Sequence, residues 1–505
     1  MARAQTPAPP ADAPHRGRGR AAVAALRPPR PLAALLLLGT IVGVAWALVT
    51  PAFQAPDEPA HFGYVQSLAE GFQLPGRGDR PLVSSEQALA GSLSNSDQAA
   101  QQLQVRMTWS ERVYERWRRA AAALPPGART DGGGPNPAAS NPPLYYLYEA
   151  IPYRLGEGGD LFTRLELMRL ASVVWMLVTV VGVWLLAGEL LTGDRLGQVV
   201  AGGTAALLPM VGFVSASVNP DAMLYAAWAL ALWLGVRLLR RGASVGGAVA
   251  LFVVVGIACL VKATSYALVP AALLALLVTL CRADRSALRS RAAALIGAGA
   301  ALVLTLGVWI VVARLTHRAA AAQVTQAAGA TGLHLRDLGS YLWQYYLPRL
   351  PFQRPFPIPG DHLPAYDVWL KTGWAGFGWL EVYFPEWVYA VLTTATLAVA
   401  VLAVAQIWRA RRRVDLAVLA FLALVCVTLL AGLHWTEFKM LTSGRGPFNA
   451  GRYLLPLVGI AGLAVALAAR WFPPARRPAA AAAWLTGLFV LNLFSYGLVF
   501  ERFYA

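Results

Sequence analysis

Apolar runs long enough to cross a lipid bilayer recur along almost the whole chain, and this pattern limits the possible folds most strongly. Backbone groups inside a bilayer must bond to one another, which leaves helices and closed barrels as spanning structures. The runs are each about 17–25 residues long, as a spanning helix requires. The sequence therefore predicts an all-α integral membrane protein of about eleven helices. The candidate spans are roughly residues 32–50, 167–191, 196–216, 222–238, 244–261, 264–281, 292–313, 386–407, 414–433, 453–470 and 479–500.

The charge pattern also favours a membrane protein. Charged residues make up 14% of the chain, whereas a soluble domain carries roughly a quarter. The net charge of +17 would suit a nucleic-acid partner in a soluble protein. Here the basic residues cluster between apolar runs, and no nucleic-acid motif accompanies them, so we expect the lipid bilayer and no nucleic acid as a partner. Three cysteines are too few for a disulfide framework and lack the spacing of a metal site.

The basic clusters predict the orientation of the spans. Residues 1–30 are rich in Pro, Ala and Arg, which indicates a disordered basic tail in the cytoplasm. The run that follows lacks a convincing cleavage site, so we expect it to remain as the first helix. Residues 31–505 then form the transmembrane domain of a multi-pass protein in the bacterial inner membrane, with its N-terminus cytoplasmic. If successive spans cross the membrane in alternating directions from that start, every strong basic cluster lies on the cytoplasmic side. These clusters are residues 237–241, 282–291, 409–413 and 470–477.

Two long segments, residues 51–166 and 314–385, are predicted to lie outside the membrane on the extracytoplasmic face. Loops of this length are usually functional or disordered. The first contains ERVYERWRR at residues 111–119, which is typical of an interfacial helix with basic residues reaching to water. The second is rich in Trp and Tyr, as membrane-interface segments are.

The motif PDEPAHFGY, residues 56–64, follows the first span directly and carries adjacent carboxylates and an imidazole. We expect Asp57 to cap a short helix and His61 to share its face, because side chains four residues apart meet on a helix. An apolar stripe on this helix would lie on the membrane. A carboxylate held at a surface in this way is placed to act as a general base. The simpler interpretation is a capped interfacial helix. The candidate catalytic residues are Asp57, Glu58 and His61.

Several other polar residues mark the predicted outer face. Lys262 in VKATSY, and Arg445 and Arg452 in the last outer loop, oppose the charge bias, and such residues are often functional. A lipid phosphate is their natural partner, although snorkelling at a helix end is the simpler alternative. The remaining candidates for substrate or phosphate binding are Asn141 and Tyr146 in NPPLYYL, which could be an aromatic anchor, and Asn219 and Asp221 in SVNPDA, which could be a helix cap.

These motifs resemble the GT-C class of integral-membrane glycosyltransferases. PDEPAHFGY is similar to a stretch of the protein O-mannosyltransferases, and NPPLYYL to one in the aminoarabinose and related lipid-sugar transferases. The ordered set of PDE-x-x-H-F, SVNPDA, VKATSY and GRYLLP resembles a bacterial family of predicted polytopic membrane proteins of unknown function, from about residue 50 to 460. Asn141 stands where the transferases more often have His. The resemblance implies a GT-C-like fold with Asp57 as the catalytic base.

The expected activity is transfer of a sugar from a polyprenyl-phosphate donor to a glycan, lipid or protein acceptor at the outer face, in cell-envelope glycan assembly. The sequence contains no nucleotide-phosphate loop, and a lipid donor does not need one. No cofactor is certain, and a divalent metal at Glu58 and His61 is left open. A transporter or flippase of lipid-linked saccharides would use the same basic residues, but it would tend to place coupling carboxylates near the midplane. A non-catalytic envelope-assembly protein would not need carboxylates and phosphate-binding groups together.

Overall fold

The computed structural model describes residues 28–505 except 77, 101, 103, 243, 283–287, 317–334 and 359–362. Nearly all of the basic tail predicted at residues 1–30 therefore lies outside the described residues. The regular secondary structure of the described residues is helical apart from one isolated bridge, between Phe377 and Val382.

Seventeen main helices follow one another along the described chain. They are α1 Arg30–Val49, α2 Glu58–Gly71, α3 Ser85–Ser94, α4 Glu111–Ala121, α5 Leu144–Leu155, α6 Leu161–Leu190, α7 Arg195–Leu207, α8 Pro209–Ser215, α9 Asp221–Arg241, α10 Val245–Val261, α11 Leu268–Arg282, α12 Leu288–Leu315, α13 Leu335–Tyr346, α14 Glu386–Arg409, α15 Leu416–Thr442, α16 Val458–Ala469 and α17 Arg477–Phe503.

The predicted spans appear as helices. Among the described residues, nine helices are long and apolar enough to cross a membrane. Three of them, α11, α16 and α17, are counted together with the helical turns that precede them, as Ala263–Arg282, Gly451–Ala469 and Pro474–Phe503. A tenth is obtained if α7 and α8, which are bent by 56° at Leu208, count as one span. Helix α10 is apolar but has only 17 residues. With α10 these account for all eleven predicted runs, and the prediction of an all-helical membrane protein is confirmed.

Close helix contacts form the centre of the bundle, where α1, α6, α7, α9 and α16 pack together. Gly462 on α16 faces the backbone of Ala201 on α7 so closely that a Cβ atom there would lie 2.7 Å from the carbonyl oxygen. A Cβ on Gly182 of α6 would lie 2.8 Å from the Cβ of Ala229 on α9. Small residues at such crossings let membrane helices approach closely.

The acidic-motif helix α2 differs from the prediction. Its apolar residues do not lie on a membrane surface but are buried in the protein, because α5 and the turn Pro137–Ser140 pack against this helix. These residues are Phe62, Val65, Leu68 and Ala69.

Helix α4 covers the predicted interfacial segment. Its basic residues point outward, but its Trp117 packs edge-on against Phe162, with ring centroids 4.8 Å apart. The contact of α4 with the membrane stays a prediction.

Candidate functional site

Residues far apart in sequence meet in one polar cluster beside the start of α2. Asp57 and Arg452 form an ion pair of 2.6 Å, and so do Asp221 and Lys262. His61 lies within electrostatic reach of all four of these residues. The two ion pairs thus bring together one side chain from the segment between α1 and α2, one from the start of α9, one from the α10–α11 connection and one from the α15–α16 connection.

Asp57 precedes α2 in a left-handed conformation, with φ of 61°. Asp57 occupies the N-cap position, as the sequence predicted, but its side chain makes no capping hydrogen bond. The left-handed region is costly for a residue with a Cβ, and such strain is found where surroundings impose a geometry. The conformation turns the carboxylate away from the helix end and toward Arg452, with 46% of the side chain exposed.

The charge state of Asp57 follows from its neighbours. Burial in the site raises the pKa of the Asp57 carboxyl, but the charge and hydrogen bond of the Arg452 guanidinium lower it, and the charge of Lys262 adds to this effect. The lowering outweighs burial, so the pKa of Asp57 lies below its usual value. Asp57 is therefore a carboxylate at neutral pH, able to accept a proton.

Arg169 holds the acidic motif in place. This arginine of α6 is 3% exposed and binds the fully buried Glu58 through two hydrogen bonds, of 2.8 and 2.6 Å. Its remaining N–H groups donate to carbonyl oxygens of Ala47, Thr50 and Pro51 at the end of α1. One guanidinium thereby joins α6, α1 and the residue next to Asp57. Sequence reasoning missed Arg169, although an arginine inside a long apolar run is costly and is a recognisable signal.

Glu58 has no lone pair directed at a ligand. Each carboxylate oxygen accepts two hydrogen bonds, one from Arg169 and one from a backbone N–H, which belongs to Phe53 at 3.0 Å or to Val218 at 3.1 Å. The residues present therefore do not fit the metal that the sequence left open at Glu58 and His61. In the part of the chain that is described, no group of three or more His, Cys, Asp or Glu side chains could hold a metal ion.

His61 continues into a chain of hydrogen bonds. Its Nδ1 atom lies 2.9 Å from the Tyr146 hydroxyl, which also accepts a hydrogen bond of 3.0 Å from the Asn141 side chain. Tyr146 is fully buried and stacks on Tyr64, so it is not a membrane-interface anchor. Burial lowers the pKa of His61 to about 4, an effect that the nearby carboxylates only partly oppose. The imidazole is therefore neutral at neutral pH.

Asn219 ties the start of α9 to the acidic motif. Its side-chain oxygen accepts a hydrogen bond of 2.9 Å from the backbone N–H of Asp221, and its amide donates to the carbonyl of Pro56 at 3.2 Å. Lys262 is balanced by Asp221 and lies over the ring of Tyr453, 5.1 Å from its centre. Lys262 is thus inside the cluster, but its charge already has a partner.

Arg452 combines a charge partner with unused donors. Its Nη2 atom donates to Asp57 at 2.6 Å and to the Tyr453 hydroxyl at 3.1 Å. Among the described residues, its buried Nε and Nη1 atoms have no hydrogen-bond partner, and neither does the Oδ2 atom of Asp221. Arg445, which sequence reasoning grouped with Arg452, is exposed on the loop and is absent from these contacts.

A second buried network, also missed from the sequence, secures the loop that carries Arg452. Glu437 of α15 accepts hydrogen bonds from the side chain of Asn449 at 2.7 Å and from the Tyr341 hydroxyl at 2.7 Å. Two residues after Asn449, the backbone N–H of Gly451 donates to the Thr372 hydroxyl at 2.6 Å. These contacts fix the backbone immediately before Arg452.

Comparisons with solved structures find distant similarities. ArnT from Cupriavidus metallidurans in the apo state is 14% identical with a TM-score of 0.45, over 89% of this chain and 62% of that chain. The same protein bound to undecaprenyl phosphate is 13% identical with a TM-score of 0.44, over 89% and 62%. The Archaeoglobus fulgidus oligosaccharyltransferase in its apo form is 12% identical with a TM-score of 0.44, over 92% and 56%. The chain thus spans less than two thirds of the length of each of these proteins.

The sequence matches a family more directly. No curated protein matches the chain. Residues 40–461, more than half of the chain, match the family described as predicted membrane protein, DUF2142. This region includes the acidic motif, both ion pairs of the cluster and Arg169. The chain therefore belongs to the DUF2142 family and is a multi-pass integral membrane protein.

Proposed function

We propose that this protein is a membrane glycosyltransferase that moves a sugar from a polyprenyl-phosphate donor to an acceptor hydroxyl at the extracytoplasmic face. The observation that carries the proposal is the pairing of two unlike groups. A half-exposed carboxylate, Asp57, contacts a buried guanidinium, Arg452, which keeps two N–H donors without partners. A base and an anion-binding group at one point are what this transfer requires.

The proposed reaction is a single displacement. Asp57 accepts the proton of the acceptor hydroxyl as the acceptor oxygen forms a bond to the anomeric carbon. The bond from that carbon to the phosphate oxygen breaks, and its electron pair leaves on the lipid phosphate. Arg452, with Lys262 nearby, stabilises the negative charge that develops there, because guanidinium groups suit phosphate geometry. The configuration at the anomeric carbon is inverted.

The other residues of the cluster have positioning roles in this proposal. Glu58 and Arg169 hold the backbone that presents Asp57. Neutral His61, bonded to Tyr146, lies beside the base without a charge that would compete with Arg452 for the carboxylate. Asn219 links Asp221 to Pro56, the residue before Asp57.

The test is sugar transfer by the purified protein in nanodiscs, with a panel of polyprenyl-phosphate-linked hexoses and pentoses. Asp57→Asn should reduce turnover by about a hundred- to ten-thousand-fold, as expected when a general base is lost, while thermal stability and donor binding change little. Asp79→Asn is the matched control, because Asp79 is an exposed acid of the same outer segment.

Three outcomes would contradict the proposal. One is full activity in Asp57→Asn. Another is an absence of cleavage with every donor of the panel. A third is movement of intact donor across sealed vesicles without cleavage, which would favour the transporter alternative.

A further inference from the structure

A large open cavity lies on the side of the bundle that the charge pattern predicts to be cytoplasmic, whereas Asp57 is predicted to lie on the outer side. It has a volume of about 790 Å³ and lies between the α14–α15 and α16–α17 connections. Among the described residues, none of those that line it carries a carboxylate. The cavity is called the arginine cradle here after its six lining arginines: Arg409, Arg411, Arg412, Arg413, Arg470 and Arg477.

The charge of the cradle is largely unbalanced by the protein. Asp194 pairs with Arg470 at 3.1 Å, while Asp415, beside the arginine turn in sequence, pairs with Arg282 at 3.0 Å outside the cavity lining. Within the described residues, the other five arginines of the cradle form no ion pair. Like charges gathered without counter-charges repel one another, so the arrangement favours an anion from outside the chain.

Two of these arginines are held in place by groups that do not neutralise their positive charge. The Arg409 guanidinium stacks over the ring of Trp471 at 3.5 Å. Arg477 donates hydrogen bonds of 3.0 and 3.2 Å to the carbonyls of Phe472 and Arg470. Planar groups held in this way are preorganised for phosphate oxygens.

Another arginine cluster on the same predicted side shows the contrast. In the α9–α10 connection, Arg241 pairs with Glu189 at 2.8 Å, Arg237 lies 4.0 Å from the same carboxylate, and Arg240 donates to the Glu189 carbonyl. These arginines orient the chain equally well under the positive-inside rule. The unpaired charge of the cradle therefore exceeds what topology alone requires.

The depth of the cradle identifies the source of the anion. It lies where the spans α14 and α16 end and where α15 and α17 begin, which places it at the level of lipid headgroups. Trp408 and Phe472 are 67% and 38% exposed beside it, and aromatic residues concentrate at this level. Basic pockets between helices on the cytoplasmic side bind anionic headgroups. We propose that the arginine cradle binds the headgroup of an anionic phospholipid of the cytoplasmic leaflet.

The test is lipid retention by the full chain, measured by native mass spectrometry after ejection from nanodiscs. The nanodiscs contain phosphatidylcholine with a small fraction of either phosphatidylglycerol or cardiolipin. The variant is Arg412→Gln/Arg413→Gln. The matched control, Arg240→Gln/Arg241→Gln, removes the same number of charges from the same predicted side. Cysteine-labelling of both variants checks that orientation is unchanged.

We expect the wild type and the control to retain anionic lipid in preference to phosphatidylcholine. The Arg412→Gln/Arg413→Gln variant should bind it roughly ten- to thirty-fold more weakly, the effect of two basic residues near a membrane surface. Retention that is equal for phosphatidylcholine and anionic lipids would overturn the proposal. So would an equal loss in both double variants, which would indicate net charge alone, or displacement of the lipid by millimolar inorganic phosphate, which would indicate a site for a free anion.

Discussion

Asp57 and Arg452 are 395 positions apart in sequence and form a 2.6 Å ion pair at the centre of the polar cluster. The pair joins the segment after the first span to the loop before α16. Its geometry makes the charge of the proposed base depend on the group proposed to hold the phosphate. A donor phosphate that bound Arg452 would also weaken the electrostatic effect of Arg452 on Asp57.

Replacing Arg452 should change both donor affinity and the pH dependence of transfer. Arg452→Gln removes the main group that stabilises the Asp57 carboxylate, while burial continues to favour the protonated form. The pKa of Asp57 should therefore rise, and the acid limb of kcat/KM should move to higher pH. Arg452→Lys keeps the charge and should leave that limb near its wild-type position. Arg412→Gln, on the opposite predicted face, should change neither quantity. An acid limb at the same pH in Arg452→Gln would exclude Asp57 as the titrating base.

Variants of the Lys262–Asp221 pair can distinguish a phosphate-binding role of Lys262 from a purely structural one. Lys262→Gln leaves the buried Asp221 carboxylate without its cation, which should lower stability by about 3 kcal/mol. Asp221→Asn/Lys262→Gln should recover most of that stability, because no uncompensated charge remains. If Lys262 also binds the donor, the double variant should still bind a polyprenyl phosphate weakly in a nanodisc titration. Wild-type affinity in the stable double variant would limit Lys262 to a structural role.

Loss of Arg169 should destabilise the fold more than loss of an exposed arginine. Arg169→Met removes the partner of a buried carboxylate together with three carbonyl contacts, and breaking such a pair costs about 3–5 kcal/mol. Arg154→Met is the control, since Arg154 pairs with Glu157 at the surface and such pairs contribute about 1 kcal/mol or less. Thermal unfolding in detergent measures both. Equal shifts in the two variants would show that the Arg169 contacts add nothing beyond a surface pair.

Glu149 should make stability fall as pH rises. This fully buried carboxyl of α5 accepts a 2.7 Å hydrogen bond from Ser172, and burial raises its pKa from 4.5 to about 8. Between these values the folded chain holds a proton that the unfolded chain has released, so the free energy of unfolding decreases with increasing pH. Glu149→Gln resembles the neutral form and should reduce this dependence. Denaturation curves at pH 5 and pH 8 test the prediction, and the same slope for wild type and variant would contradict it.

The membrane orientation is tested by reporter fusions at two positions. The alternation of basic clusters predicts that Arg412 is cytoplasmic and Gly134 extracytoplasmic. A periplasm-active reporter should therefore function only at Gly134, and a cytoplasm-active reporter only at Arg412. Reporters that place both positions on one side would refute the predicted topology, along with the placement of Asp57 at the outer face.

The sequence alone determined the class of fold and singled out most residues of the polar cluster, whose function stays a proposal. Span positions could be read directly because hydropathy is a local property that bilayer thickness converts into helix length. The sequence could single out Asp57, Lys262 and Arg452 because a charged residue at the edge of an apolar run has a desolvation cost. Such residues are therefore often functional. The apolar stripe of α2 was misplaced, since an apolar face looks the same whether lipid or protein covers it.

Only the tertiary structure decided which charges meet. Glu58 was expected near the chemistry, but Arg169, 111 positions later, saturates it with hydrogen bonds. Lys262 was expected as a free cation, but Asp221 neutralises it, and Arg445 lies outside the cluster while Arg452 is at its centre. Such pairings depend on how the helices pack and on backbone conformations such as the left-handed Asp57. Hydropathy and charge spacing along the chain do not encode these distances, because the energy of an ion pair is set by separation in space.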